Sequence, residues 1–385
     1  MNLLIFTPYY PPHTGGLESH AEEFNKHLAN EDFVITVFSP QLPKNTPEKQ
    51  IDNKYLTIIR YPAWEIVPNY PLPKFWSLKF WKLFCALYKQ NFDITISRTR
   101  FFFSSFMALI FAKTKRIKFI HIEHGSDFVQ LSSKFKNFLA KLYDYGFGQL
   151  IFKFSDINIS ISKAVQEFIY KFDKQPSPII YRGLNIKEID NINTDTTIQQ
   201  KYPDKIIIAF VGRLYKWKGV ENSIKAVKNL PTKLKKGITF IIVGNGEDFE
   251  HLKKIAGNET DIIFTGNVPR DKAISILKSS QIYIHSAQPG GGLSTSLLEA
   301  MYCQNAIIAT PNEGAKEIIE NNKNGILINN PDPQLIAKAI TALVRNKNLI
   351  HRLSKEAKKT IVKKINWQKS IEKYEKIFKE ILAEK

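Results

Sequence analysis

Cysteine is nearly absent: Cys85 and Cys303 are the only two among 385 residues. That count excludes a disulfide framework and fits a reducing compartment. Long apolar runs are also missing. A bilayer-spanning helix needs about 18 consecutive apolar residues, whereas the best run, residues 101–112, is shorter and interrupted by Ser104 and Ser105. The opening MNLLIFTPYYPP has no basic start and its apolar stretch breaks at prolines, so no signal peptide is expected there. Acidic residues are in deficit, 36 Asp+Glu against 55 Lys+Arg, for a net charge of +19. There is no internal repeat, no low-complexity tract and no Asp-x-Asp. What is present is an ordinary apolar fraction, 43%, which excludes wholesale disorder. At 385 residues the chain exceeds the length at which single cores stop growing, so two domains are expected. The charge calls for an anionic partner: nucleic acid, acidic lipid or a phosphorylated metabolite.

Short apolar runs alternate with amphipathic stretches. Residues 2–7, 33–39, 57–61, 93–97, 118–121 and 157–161 read as buried strands. A second series covers 206–211, 238–243, 262–264, 282–285, 306–309 and 325–328. Strand–helix alternation implies an α/β chain with two doubly wound parallel sheets. Residues 184–204, polar and asparagine-rich, read as a linker between domains at 1–183 and 205–365. Residues 367–385 form a charged amphipathic helix.

Parallel sheets place ligands at the carboxyl ends of their strands. The glycines and hydroxyls of this chain fall there. Gly15-Gly16 follows the first strand and opens a helix, where a bulky anion can approach the backbone. Arg213 and Lys218 follow a strongly apolar strand as two cations suited to a diphosphate. Gly244-Asn245-Gly246 turns between a strand and a helix. Gly290-Gly291-Gly292-Leu293-Ser294-Thr295 leads into another helix, whose free N–H groups and dipole favour an anion. Glu299 lies one to two turns into that helix. Its apolar neighbours imply partial burial, so it needs hydrogen-bond donors, which a ribose diol would supply. Each of these features also has a plain structural reading as a turn, a surface cation or a surface carboxylate.

Taken in order, these residues resemble a family 4 glycosyltransferase of the GT-B superfold, the retaining type that uses nucleotide sugars. The resemblance rests on Gly-Gly-x-Glu-x-His ending at His20, His124-Gly125, Val211-Gly212-Arg213-Leu214 with Lys218-Gly219, Gly244-Asn245-Gly246, and Leu297-Leu298-Glu299-Ala300-Met301. It implies two Rossmann-like domains facing across a cleft. The N-terminal one would bind the acceptor, the C-terminal one the donor, and residues 366–385 would cross back to the N-terminal domain. It also implies diphosphate contacts from Arg213, Lys218, Gly15 and Gly16, ribose contact from Glu299, sugar contact from His124, and the base against backbone near Val268. Two departures stand out. The family's second glutamate, eight positions before Glu299, is Gly291 here, and its frequent Pro-Asn-Gly is Tyr181-Arg182-Gly183.

Glycosyl transfer builds negative charge on the departing diphosphate, which fixed cations and N–H groups stabilise where water is excluded. Arg213, Lys218 and the Ser294 helix start would do so, and neither a metal nor a cofactor is expected. No general base is assigned; Glu18 and His20 are outside candidates. Residues 72–90 are basic, aromatic and amphipathic, as suits an anionic membrane surface, although packing on a sheet explains the pattern equally well. The expected partners are a nucleotide-sugar donor, a glycan or lipid-linked acceptor and an anionic membrane surface at the cytoplasmic face, with no nucleic acid. A sugar-nucleotide epimerase and a non-catalytic nucleotide-sugar or glycan-binding subunit are the competing readings.

Overall fold

The computed structural model describes residues 1–13, 15–67, 70–129, 134–288 and 293–383. The chain divides into two units, Met1–Gly183 with Trp367–Lys385, and Leu184–Asn366.

In the first unit the strands are β1 (Asn2–Phe6), β2 (Val34–Pro40), β3 (Lys49–Asn53), β4 (Leu56–Tyr61), β5 (Ala63–Val67), β6 (Tyr70–Pro73), β7 (Ile94–Arg98), β8 (Lys118–Glu123) and β9 (Ile157–Ser160). Seven form one sheet in the order β3-β4-β2-β1-β7-β8-β9, parallel except for β3 against β4. β5 and β6 make a separate antiparallel hairpin. The central strands are fully buried runs such as Leu3–Phe6, because helices cover both faces. The helix Trp367–Ala383 closes this core. Tyr374 sits edge-on to Phe24 at 4.8 Å, and Phe378 meets Phe33 at 6.1 Å.

In the second unit the strands are β10 (Ile206–Val211), β11 (Ile238–Val243), β12 (Ile262–Gly266), β13 (Ile282–His285), β14 (Ala306–Ala309) and β15 (Ile326–Leu327). They form one parallel sheet in the order β12-β11-β10-β13-β14-β15. Strand order therefore reverses between β1 and β7 in one unit, and between β10 and β13 in the other. At such a reversal the flanking loops diverge and leave a crevice at the strands' carboxyl ends.

Three expectations change. Residues 184–204 are not a bare linker. They carry the helices Ile186–Asn191 and Thr196–Lys201, capped by Asn185 and Asp195 and anchored in the second unit by buried Ile189 and Ile198. Residues 72–90 are not one helix either: Tyr70–Pro73 is a strand, and only Leu78–Tyr88 is helical. The apolar arc of that helix serves the core through Phe80 and Leu87, while Trp76, Leu78 and Trp81 stay exposed. Arg182 is not a loose cation near the boundary. It is buried, with Nη2 3.0 Å from Glu23 Oε2, the same carboxylate that accepts Trp367 Nε1–H at 3.1 Å. No described helix is long and apolar enough to cross a membrane.

Candidate active site

In the second unit, the loops after β10, β11 and β13 lock together through backbone. Leu214, fully buried, pins the loop carrying Arg213, and its N–H donates to the Asn245 carbonyl at 3.0 Å. A side chain on Gly244, at φ +131°, would strike the Gly212 carbonyl, and one on Gly246 would strike that of Leu214. Gly219, left-handed at φ +67°, ends the short turn Lys216–Lys218 and lies against the Ser286 carbonyl. Ser286 Oγ–H donates to the Lys218 carbonyl at 3.0 Å, and Gln288 N–H donates to that of Trp217 at 2.8 Å. The Arg213–Lys218 loop is thus fixed by three strand ends.

Arg213 is exposed and Lys218 half-buried. Lys218 Nζ lies 4.2 Å from the centre of the Trp217 ring. Burial, with the nearby Arg213 charge, pushes the Lys218 ammonium down to about 8. His285, beneath the same loop, is pushed down to about 3 by burial and by the Lys218 charge. Two like charges brought close in a partly dry place are costly unless an anion joins them.

Ser294 precedes the helix Thr295–Tyr302 in extended conformation, and its hydroxyl meets Ser296 Oγ at 3.1 Å instead of capping the helix. Leu293 and Thr295 are half-buried beside it. Gly290, Gly291 and Gly292 lie outside the described residues. Glu299 is buried, and its donors include Arg270, with Nε at 3.0 Å and Nη2 at 2.9 Å from Oε1. Arg270, at the start of the helix Arg270–Ser279, escaped the sequence reading. Val268, two residues earlier, packs half-buried against the core.

In the first unit, Gly15 precedes the helix Gly16–Leu28, and a side chain there would strike the Glu18 carboxylate. Glu18 meets His13 Nδ1 at 2.6 Å, so this outside candidate for a base is already engaged. Across the β1/β7 reversal lies a polar cluster. His20 Nδ1 is 3.0 Å from Arg98 Nη1 and 3.3 Å from His124 Nε2, and Thr99 Oγ1 is 3.3 Å from His124 Nδ1. Burial, with His124, Arg98 and Arg182, holds His20 well below the usual histidine range. Burial and the Arg98 charge push His124 down to about 3.

The turn that presents His124 is built by Glu123. This fully buried carboxylate accepts the N–H groups of Arg100, His124 and Gly125 at 3.0, 2.8 and 2.6 Å, and faces the Arg100 guanidinium at 3.4 Å. Burial alone would raise its pKa. The Arg100 charge, His121 and the Gly125 N–H outweigh that and hold it far below the usual glutamate range. Arg100 is shared with Asp144, 3.0 Å away and pushed up to about 6 by burial. Asp144 opens a π-helical turn, Asp144–Gly148, a form that often marks functional sites. Arg98, Arg100, Glu123 and Asp144 belong to none of the motifs read from the sequence. The one available signal was an ionisable residue directly before His124-Gly125 at the end of an apolar strand.

The two units share one plan, a parallel nucleotide-type sheet with polar residues gathered at its topological reversal. A model of the group 1 glycosyl transferases matches residues 191–360, and one of glycosyltransferase family 4 matches residues 14–188. An uncharacterized glycosyltransferase of Methanocaldococcus jannaschii is 49% identical over 389 residues, covering 99% of both chains. The chain belongs to this family of glycosyltransferases. Among solved structures, it resembles Anabaena HepE in complex with UDP (TM-score 0.75, 15% identity, 99% of this chain and 100% of that one). It also resembles a sucrose-phosphate synthase from Thermosynechococcus elongatus (TM-score 0.76, 16% identity, 100% and 99%).

Proposed function

We propose that this glycosyltransferase moves a sugar, with retention, from a nucleoside-diphosphate sugar to a glycan or lipid-linked acceptor in cell-surface polysaccharide or glycolipid synthesis. The observation that carries the reading is the Arg213–Lys218 loop. Two cations are fixed by three strand ends at the β10/β13 reversal, and the ammonium is pushed down by burial and by its neighbour. A diphosphate relieves that repulsion, and the charge growing on it as the glycosidic bond breaks strengthens both contacts. HepE, of the same fold, was crystallised with UDP. In this reading Gly15, Gly16, Gly244 and the residues 290–295 complete the diphosphate and sugar contacts, Val268 lies at the base and Glu299 at the ribose. His124 is presented to the sugar, and the two cations do the work of a metal.

The exposed surface supports work at the inner face of a membrane. Of the 19 exposed large apolar side chains among the described residues, 14 lie between Trp64 and Phe154. The same region, residues 51–150, holds 15 Lys+Arg against 6 Asp+Glu. Exposed Trp81 is joined to exposed Phe147 through Phe75 and Phe103, at 6.5, 5.3 and 6.5 Å between successive rings. Apolar rings beside lysines suit an anionic interface.

The test is a panel of nucleotide sugars, scored by thermal shift and by release of nucleoside diphosphate with cell-lipid extract, with and without a chelator. Turnover that survives the chelator and falls about 100-fold or more in Arg213→Ala, with the fold intact, supports the reading. Near-normal turnover in that variant refutes the site. The substitution of Gly291 for the family's carboxylate favours one second reading, a binding subunit, and shift without turnover would establish it.

A further inference from the structure

Arg98 is fully buried, and none of the ion pairs of the described residues includes it. Its Nε and Nη2 have no hydrogen-bond partner among the described residues, and its guanidinium lies 4.5 Å from the Phe24 ring. Only Nη1 is engaged, at 3.0 Å from His20 Nδ1. A buried arginine without a carboxylate is costly, and a fold retains one where it performs a task. The next residue adds to the cost. Thr99 is β-branched yet left-handed at φ +63°, held there by its N–H on the Ile122 carbonyl and by Ser105 Oγ–H on its own carbonyl.

The chemistry of Arg98 settles where the proton of His20 resides. A guanidinium has only donors, so His20 Nδ1 must accept from Arg98. The proton of neutral His20 then resides on Nε2. His124 faces the same nitrogen with Nε2 at 3.3 Å, and its Nδ1 meets the Thr99 hydroxyl at 3.3 Å. The His124 ring also bonds to the Ile122 carbonyl, which can only accept. The donation that the chemistry settles runs from Arg98 to His20.

We infer that Arg98 is a positioning residue. It sets His20 as the Nε2–H tautomer and spends the one lone pair of that ring inside the cluster, so that His20 cannot take a proton from an acceptor. His20, an outside candidate for the base, is thereby withdrawn from that role. What His124 offers the site is a ring of fixed orientation. The inference rests on the proposed function only in assigning His124 to the sugar; the proton arrangement stands on geometry alone. The charges facing the pair come from several elements. Arg98 lies at the end of β7, with Tyr10 and Tyr374 nearby; Arg182 lies beside His20; Glu123 and His121 lie behind His124 on β8. Trp367, uncharged, lies tilted to His20 with ring centres 5.4 Å apart. Cations dominate this set, which keeps both rings neutral.

The test is long-range 1H–15N correlation of the histidine-labelled full chain, with His20→Gln and His124→Gln giving the assignments, followed from pH 8 to pH 5 and needing no substrate. The expected result is a neutral His20 protonated on Nε2, with neither ring titrating in that range. In Arg98→Met, His20 should become a tautomer mixture and at least one ring should begin to titrate above pH 5. Arg98→Lys, which keeps a buried donor and charge, should restore the wild-type pattern. A wild-type His20 protonated on Nδ1 overturns the inference whether or not any variant folds, and so does an unchanged pattern in a folded Arg98→Met. Loss of sugar transfer in His124→Gln with the pattern as expected supports the functional assignment, and full activity there overturns that assignment while leaving the proton arrangement intact.

Discussion

The Lys218 ammonium gives the sharpest handle on the donor site. At a pKa of about 8, the group is about nine-tenths protonated at pH 7 and about one-tenth at pH 9, whereas an ordinary lysine would stay almost wholly charged over that range. A nucleoside diphosphate is fully ionised there, since its terminal phosphate titrates near pH 6. Its charge must pull the Lys218 pKa back up, and the rise is paid in affinity at about 1.4 kcal/mol per unit. Three consequences follow for UDP as the probe. Binding weakens about tenfold from pH 7 to pH 9. Calorimetry in buffers of different ionisation enthalpy shows uptake of about half a proton at pH 8 and nearly one at pH 9. In Lys218→Arg, whose guanidinium does not titrate, the uptake disappears and the affinity becomes flat with pH. UDP binding in the wild type without proton uptake at pH 8–9 would refute the idea that Lys218 meets the diphosphate. Uptake that persists in Lys218→Arg would assign the effect to another group.

Other outcomes are as definite. Gly244→Ala places a side chain on the Gly212 carbonyl at a backbone angle that L residues avoid; it should destabilise the second unit by about 3 kcal/mol, read by chemical denaturation, and a loss under about 1 kcal/mol would show that the loops are not locked. The chain should float with anionic vesicles at low salt and be released by salt, while Trp76→Ser with Leu78→Ser, both well exposed, should abolish flotation without lowering stability. No flotation of the wild type counts against the membrane reading. Stability should also fall in acid. Glu123 is held below its ordinary range, and His124 is pushed from 6.5 to about 3, so the unfolded chain binds more protons at these sites as the pH drops below about 6.5. Asp144, raised to about 6, works the other way. Denaturation midpoints at pH 7, 6, 5 and 4 should decline steadily, and a flat profile would contradict the neutral histidine pair.

The central strands were legible because a strand covered on both faces is a short, nearly unbroken apolar run, as in Ile206–Val211. β3 was not. It is an edge strand, KQIDN, exposed along most of its length and indistinguishable from a loop. The β5–β6 hairpin is hidden by Pro71 and Pro73, which read as breakers. The helices after Leu184 were obscured by polarity, though Asn185 and Asp195 are N-cap residues in plain view. At the site, glycines and hydroxyls at strand ends could be picked out because turns and anion contacts demand them. Arg98 and Arg100 could not, because a buried arginine has no local pattern. The burial of Arg98 is decided by Phe24 and Tyr374, on the helices 16–28 and 367–383, and that of Arg100 by Asp144, Phe152 and Phe168, all distant in sequence.

The division of the chain has a consequence for its synthesis. Leu184 and Asn366 pair as neighbours in a parallel bridge, so the second unit begins and ends at one spot and is contiguous in sequence. The first unit is not contiguous: Trp367, Tyr374, Phe378 and Ile381 belong to its core. On the ribosome, the unit that emerges first therefore cannot finish first. Its sheet must wait, one face covered only in part by the helix Gly16–Leu28, while the whole second unit is made, and that face is sealed only when the helix Trp367–Ala383 leaves the exit tunnel. A chain cut just before that helix carries a complete nucleotide-fold unit attached to an open one. Quality control can read such a fault from exposed hydrophobic surface alone.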